Sequence, residues 1–414
     1  MPDRPAPPRP LRPAVGVVAL SALLAPLLLA SAGAAQHLTR GPLLQRPTAD
    51  GITIVWELDP PGAPELRWGP MPERVQRHVA AAPARHHEVR LDGLEPGRTY
   101  HYALHGPGGE TLDEPATFPT AAAPGQPVRF LLFGDTRSRA EVHRRIVAAM
   151  LAEPDVRFAV HTGDLVASGG SARQWDQFFD IERPLLRRVP FFPVVGNHDV
   201  SGGKADELTR RFALPVGAAG LRPYYSFDHG SLHVVVLDTY EHVEGPLWCR
   251  LHRHVRGTCF DDEQLGWLDA DLAAAARSPA VDHVVVVTHV GPFSSTRTRG
   301  GSAQMRALLP LFRERGVTLI VSGHDHAYER GASPEGIVYV VTGGGGAPLY
   351  DVGFPSGPPH TTAVTAKIEH YVVGALEGRT LHLVAKTADG RELDSVSIPA
   401  PAKGDRAPSG GTVR

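Results

Sequence analysis

The sequence predicts a small all-β sandwich followed by a larger α/β domain built on parallel strands. Three observations carry that expectation. At 414 residues the chain is too long for one ordinary core. Residues 38–120 alternate polar and apolar side chains in short runs broken by Pro, Gly and Asp, the rhythm of strands and turns. From Val128 the texture changes to short Val- and Phe-rich runs with helical segments between them, which is how buried parallel strands and their crossover helices read.

Taken in order, residues 1–35 lie outside the fold. "MPDRPAPPRPLRP" is basic and Pro-rich, "AVGVVALSALLAPLLLA" is apolar, and "SAGAAQ" offers small residues for cleavage. That is the plan of a secretory signal peptide cut within Ala32–Gln36, with an uncleaved anchor as the alternative. The apolar run is marginal against the about 20 residues a membrane span needs. The mature chain is therefore expected to be secreted or periplasmic, with no stable membrane insertion after cleavage.

In the sandwich, "GITIVWEL", "PELRWG", "HHEVRLDGL" and "TYHYALHG" read as strands, with Trp56, Trp68 and Tyr100 in its core. "AAAPGQP", Ala121 to Pro127, reads as a linker, and residues 127–398 as the second domain. There, "VRFLLFG", "VRFAVHTG", "FFPVVG", "HVVVVTH" and "VTLIVSG" are the buried strands. "SRAEVHRRIVAAMLAE" opens with a capping box from Ser138 to Glu141. "DDEQLGWLDADLAAAA" is capped by Asp261, and "SAQMRALLPLFRER" by Ser302 with Gly316 behind it. "YYSFDHGSLHVVVLDT" reads as a hairpin, and the last strands as a β-meander before a disordered tail at 399–414.

Composition narrows the function. With 42 basic and 44 acidic residues the net charge is −2, and no Lys/Arg block supports a nucleic-acid or anionic-membrane partner. The 21 histidines favour metal or acid–base chemistry. The only cysteines, Cys249 and Cys259, lie close in sequence, and an exported pair reads as a disulfide. Two free thiols or a Cys–His metal knot at "CRLHRH" are the alternatives.

Each of the five buried runs ends at a residue able to bind metal: Asp135, Asp164, Asn197, His289, and the pair His324 and His326. Ligands of open α/β sheets sit at the carboxyl ends of the strands, so a parallel sheet brings all these side chains to one edge. Glycine precedes four of the five positions, at 134, 163, 196 and 323. Alone, each Asp reads as a helix cap and each His as a core residue; together they form a donor set of oxygen and nitrogen without thiolate. Such a set suits Fe, Mn or Zn. Six protein donors with a carboxylate free to bridge suit two ions.

The series "GD … GD … GNHD … TH … GHDH" resembles the calcineurin-like metallophosphoesterase superfamily. "GHDHAYER" and the preceding strands from "RGPLLQRPTADGITIVWEL" make the chain similar to purple acid phosphatases, which carry a fibronectin-III-like N-terminal domain. The resemblance implies a layered βαβ sandwich and an exported hydrolase of small phosphate esters using attack by a metal-bound hydroxide. It implies Asp135, Asp164 and His326 at the first metal, and Asp164 (bridging), Asn197, His289 and His324 at the second. His198 would face the substrate, as transition-state stabiliser or proton donor.

Two departures stand out. The position of the colour-giving tyrosine of purple acid phosphatases is Ala167, and the position where many cyclic-nucleotide phosphodiesterases carry a ligand histidine is Arg137. An always-protonated guanidinium cannot ligate. Arg137, expected at a helix start, is either a phosphate clamp or a salt-bridge partner. "GPFSSTRTRGGS", Gly291 to Ser302, reads as a substrate lip with Arg297 or Arg299. "VVTGGGGAPLY", Val340 to Tyr350, is too Gly-rich for a strand and is expected to cross near the site. His143 and His161 read as structural, with His161 near Asp164, while Asp325 should face away and Tyr328 and Arg330 pack. The rival functions are a phosphodiesterase or nucleotidase on the same scaffold and a non-catalytic phosphate- or partner-binding relative. The sequence leaves the substrate and the oligomeric state open.

Overall fold

The computed structural model describes residues 36–402 except 80–81, 203–205, 217–219, 221, 240–259, 297–300 and 355–359. The expected signal peptide and the Cys249–Cys259 pair lie outside the described residues. Among the described residues no helix is long and apolar enough to cross a membrane.

Residues 37–119 form β1 (His37–Thr48), β2 (Gly51–Gly62), β3 (Glu65–Met71), β4 (Arg74–Val79), β5 (Ala84–Asp92), β6 (Thr99–His105) and β7 (Ala116–Pro119). They make two sheets, ordered β1-β2-β5 and β4-β3-β6-β7. In β6 the side chains of Tyr100, Tyr102 and Leu104 are buried, and half-buried residues alternate with them, as a strand with one core face requires. Trp56 and Phe118 join them in that core, and Trp68 packs against it.

Ala121 to Pro127 is not a free linker. Ala121 and Ala122 are buried; the Ala121 N–H donates to Thr48 O, and Ala122 O accepts from Gly230 N–H. Tyr102 OH donates to Arg187 O at 2.8 Å, Asp113 pairs with Arg183 and Arg187, and Gln45 Nε2 donates to Phe191 O at 3.3 Å. Leu43 and Val55 belong to the core of the second half. If the sandwich swung free, these hydrogen bonds and ion pairs would be lost and the apolar side chains of Leu43 and Val55 exposed to water. The chain from Gln36 onward is accordingly one compact unit.

The second half adds β8 (Val128–Phe133), α1 (Ala140–Leu151), β9 (Val156–His161), α2 (Ala172–Leu186), β10 (Phe191–Pro193), α3 (Asp206–Arg211), β11 (Tyr225–His229) and β12 (Leu232–Leu237). It continues with α4 (Asp262–Arg277), β13 (His283–Thr288), α5 (Ala303–Ala307), α6 (Leu309–Glu314), β14 (Val317–Ser322), β15 (Tyr328–Ala332) and β16 (Val338–Thr342). The last strands are β17 (Thr361–Ala366), β18 (His370–Glu377), β19 (Thr380–Thr387) and β20 (Glu392–Pro399). The five ligand-bearing strands do not share one parallel sheet, as expected, but two. One is ordered β10-β9-β8-β18-β19-β20, the other β11-β12-β13-β14-β16-β15-β17.

Alternation along the second sheet shows how the two stack. Val285, Val287, Leu319 and Val321 join the core that holds Phe130 and Leu132 of the first sheet. Val284, Val286 and Ile320 instead meet Leu268, Leu272 and Phe312 of the helices. Helices α1 and α2 cover the other face of the first sheet through Ile146, Trp175 and Phe178. The result is a layered α/β sandwich, with the parallel strands β12, β13, β14 and β16 central in the second sheet and β8, β9 and β10 at one side of the first.

Local expectations fare unevenly. Asp261 caps α4 by accepting from Gln264 N–H, and Ser302 caps α5 by accepting from Met305 N–H. The expected single helix behind Ser302 is broken at Leu308, because Pro310 next in line has no N–H for the ladder. The Ser138 capping box is absent: Arg139 occupies the N-cap without a side-chain cap, and Ser138 has φ 119°. Arg139 is committed elsewhere, to Gly346 O, Ala347 O and Glu369. Of Val340–Tyr350, expected to be too Gly-rich for a strand, the first three residues end β16, which pairs in parallel with β14, and the rest is not strand. β20 runs to Pro399 and Ala400 N–H still donates to Arg379 O, so the expected tail starts too early.

The hairpin carries one pH-sensitive contact. His233 of β12 is buried between Asp228 Oδ1 at 2.7 Å and Asp271 Oδ2 at 2.9 Å. Burial alone would lower its pKa; the two carboxylates outweigh that and push it up to about 9. A group raised above its unfolded value contributes stability that is whole below pH ~6.5 and lost as pH rises through the folded value. We expect about 2–3 kcal/mol to disappear over that window, discounted because Asp228 is exposed and screened. Urea unfolding at acid and alkaline pH checks this: His233→Gln should flatten the slope, and an unchanged slope refutes it.

Candidate active site

Parallel pairing aligns the ends of the ligand-bearing strands. Phe133 lies beside His161 and His161 beside Pro193 in the first sheet, and Thr288 lies beside Ser322 in the second. Beyond each end the chain turns at once and presents a polar side chain. Asp135, Asp164 and His324 adopt φ of 57°, 58° and 68°, the left-handed region that costs a side-chain-bearing residue about 1–3 kcal/mol. Such strain persists only where the surroundings enforce it, and here close backbone approach does. A Cβ on Gly196 would lie 2.2 Å from Asp164 N, and one on Gly323 2.5 Å from Asp135 Oδ2.

The six expected donors come together. Asp135, Asp164 and His289 are buried and offer atoms within 4.8 Å of one another. His326 Nε2 lies 3.4 Å from Asp135 Oδ1, and His289 Nε2 lies 3.4 Å from Asp164 Oδ1 and 3.3 Å from Asn197 Oδ1. His324 Nδ1 lies 3.2 Å from both Asn197 Oδ1 and His289 Nε2. All oxygen donors come from the first sheet and all imidazoles from the second.

Hydrogen bonds fix which ring nitrogens face inward. His289 Nδ1 donates to Thr162 O at 2.7 Å and His326 Nδ1 to Pro348 O at 2.7 Å, which turns both Nε2 atoms toward the carboxylates. Asp135 Oδ1 is buried without a hydrogen-bond donor among the described residues. Inward-facing lone pairs and an orphaned carboxylate oxygen are what a cation would satisfy, so the residues present fit a metal site.

His198 stands at the mouth, its side chain about one third exposed. Its Nδ1 donates to Ala167 O at 2.9 Å, which leaves Nε2 4.0 Å from Asp164 Oδ2. Arg137 sits just ahead of the α1 cap rather than at the helix start, and its Nε donates to Asp164 Oδ2 at 3.1 Å. Its Nη2 lies 3.5 Å from His326 Nε2. Arg297 and Arg299 lie outside the described residues.

The buried polar residues behind the donors have partners of their own. His161 takes a contact from Gly163 N–H and faces Thr136 Oγ1 at 3.0 Å, and burial pushes its pKa well below the ordinary value. His143 pairs with Glu182 at 2.6 Å, Asp325 accepts from Thr296 Oγ1, and Tyr328 and Arg330 both hold Asp394. The residue that sequence reasoning passed over is Asp199. Its Oδ2 accepts from the N–H groups of Asp164 and Gly196, both at 2.9 Å, and its Oδ1 from Val166 N–H at 3.1 Å. Burial and the neighbouring Asp164 push its carboxyl up, against the pull of those three N–H groups. The motif "GNHD" held the signal: a carboxylate directly after two polar residues in a tight turn is suited to cap backbone N–H groups.

Comparison with known proteins agrees with this geometry. Residues 128–328 match the family model described as calcineurin-like phosphoesterase. An uncharacterized protein of Mycobacterium tuberculosis is 31% identical over 271 residues, which is 58% of this chain and 50% of that one. Purple acid phosphatase 23 of Arabidopsis thaliana is 27% identical over 316 residues, 66% of this chain and 65% of that one. The chain thus spans about half of the mycobacterial relative and under two thirds of the plant one. The structure of purple acid phosphatase PPD1 from yellow lupin seeds superposes with a TM-score of 0.71 at 20% identity, covering 90% of this chain and 77% of that one. At that identity it speaks for the fold.

Proposed function

We propose, from the match of residues 128–328 to the calcineurin-like phosphoesterase family model and from the donor cluster, that the protein hydrolyses phosphate monoesters at a dinuclear metal site. The observation that carries the proposal is the convergence of six oxygen and imidazole donors where two sheets end together. In this reading Asp135, Asp164 and His326 hold the first ion, and Asp164, Asn197, His289 and His324 the second. Asp164 would be shared between the two ions; its Oδ1 faces His289, while its Oδ2 accepts from Arg137 and lies 4.0 Å from His198 Nε2. A mixed oxygen and imidazole set favours Fe, Mn or Zn. The ions would supply a water of lowered pKa and neutralise charge on the transferred phosphoryl group.

The chain's own groups do the rest. His198, fixed through Nδ1 by the Ala167 carbonyl, keeps Nε2 at the mouth, where it hydrogen-bonds the phosphoryl oxygens or protonates the leaving oxygen. The Ala167 side chain offers no phenolate, so the purified protein should lack the charge-transfer colour. We read the chain as exported, with a fibronectin-III-like domain at 38–120 and the catalytic domain at 127–398. Metal analysis beside turnover of p-nitrophenyl phosphate and of its bis-ester tests the function. Two ions and faster monoester cleavage are expected; preferential diester cleavage would make it a phosphodiesterase, and a folded, metal-free, inert protein would make it a binding relative.

Arg137 is proposed as the phosphate clamp. Its ion pair with Asp164 holds the guanidinium at the mouth and leaves Nη2 beside His326. Charge-assisted hydrogen bonds of about 1.5–3 kcal/mol correspond to a ten- to hundredfold rise in KM for Arg137→Ala, with kcat changed little. An unchanged KM sinks the clamp and leaves only the ion pair.

A further inference from the structure

The first ion's protein ligands are few, because Arg137 and Ala167 stand where relatives of two kinds carry a donor. A sparse set depends on each member being held in place. His326 is held by a segment that the functional reading does not otherwise use, Gly343 to Tyr350. After β16 it runs beside the loop of Asp135: Gly345 N–H donates to Gly134 O at 2.9 Å, and Ala347 N–H to Asp135 O at 2.6 Å. Arg139 ties it down through Gly346 O and Ala347 O. The glycines make the approach feasible, since a Cβ on Gly343 would meet Asp325 O at 2.4 Å and one on Gly345 would meet Gly134 O at 2.4 Å.

The same segment then closes on His326. Pro348 O accepts from its Nδ1, Tyr350 N–H donates to its carbonyl at 2.9 Å, and the Tyr350 ring stacks on the imidazole. The ring centroids are 4.2 Å apart and the planes 25° from parallel. The carbonyl fixes the tautomer, and the stack fixes the plane in which Nε2 points toward Asp135. We propose that Tyr350 is a positioning residue for the first metal ion, acting through His326. This rests on the dinuclear reading above.

The test is metal binding rather than turnover. Apo-protein titrated with Zn²⁺ or Mn²⁺, with stoichiometry by elemental analysis and affinity by calorimetry, should take up two ions in the wild type. Tyr350→Ala should keep the second ion and bind the first about ten- to a hundredfold more weakly, the usual loss when a partner of a ligating histidine is removed. Tyr350→Phe, which retains the stack, should restore it. Tyr350→Leu keeps apolar cover over the loop without a ring to stack, so it separates stacking from loss of folding; it too should weaken the first ion, with apo unfolding temperature near wild type. Unchanged affinity in Tyr350→Ala overturns the proposal while leaving two bound ions, and so the function, intact. Equal losses in Tyr350→Phe and Tyr350→Ala overturn it as well, since the stack would then not be the agent. A wild type that binds no ion at all would instead overturn the dinuclear reading.

Discussion

Asp164→Asn should lower phosphate-monoester turnover about a thousandfold, the loss expected when several kcal/mol of transition-state charge stabilisation goes. The reasoning is local. Asp164 is the carboxylate assigned to both ions, with Oδ1 toward His289 and Oδ2 held by Arg137. An amide there keeps one acceptor for His198 N–H, which Oδ1 now serves at 2.9 Å, but it removes the negative charge and the second anionic oxygen. Bound metal should fall from two ions per chain to one or none, while the unfolding temperature of the apo-protein stays near wild type. Retention of both ions with full turnover would contradict the bridging assignment.

Asp199 gives the second large effect, and here the damage is to the frame. Three N–H groups from both neighbouring turns end on its two oxygens. Asp199→Ala leaves them buried without acceptors, at about 1–3 kcal/mol each, so a loss of ~3 kcal/mol or more of folding stability is expected. Asparagine is not a mild replacement, because whichever oxygen becomes NH₂ then points a donor at a donor. Chemical unfolding checks both variants; a loss under about 1 kcal/mol in each would show that the turns are held by something else.

The sequence made the donors legible because each stands at a sharp change from a buried apolar run to Gly plus a polar residue. It made α4 legible through Asp261, whose cap forms as expected. What it hid were features decided by tertiary contacts. That the parallel strands divide between two sheets follows from β18 pairing with β8, a partner hundreds of residues away in the chain. Helix α2 was passed over because Pro184 near its end disguises the period that Trp175, Phe178 and Ile181 carry. Ser138 failed as a cap because Arg139, one residue on, is pulled across to Gly346 and Glu369. Tyr350 looked like the end of a glycine run, and only the ring geometry over His326 gives it a role.

The left-handed backbone at Asp135, Asp164 and His324 has a consequence for descent. At such positions β-branched and bulky replacements are penalised most by the chain itself, whatever they do to chemistry, while Gly is unstrained and Asn, Asp and His are tolerated better than other side chains. Inherited change at these codons is therefore funnelled into a narrow set, and most members of that set are poorer donors than the residue lost. A lineage that stops needing hydrolysis can empty these positions one by one without disturbing the layers beneath. The scaffold is thus predisposed to leave behind folded, inert descendants whose remaining surface is free to be selected for binding alone.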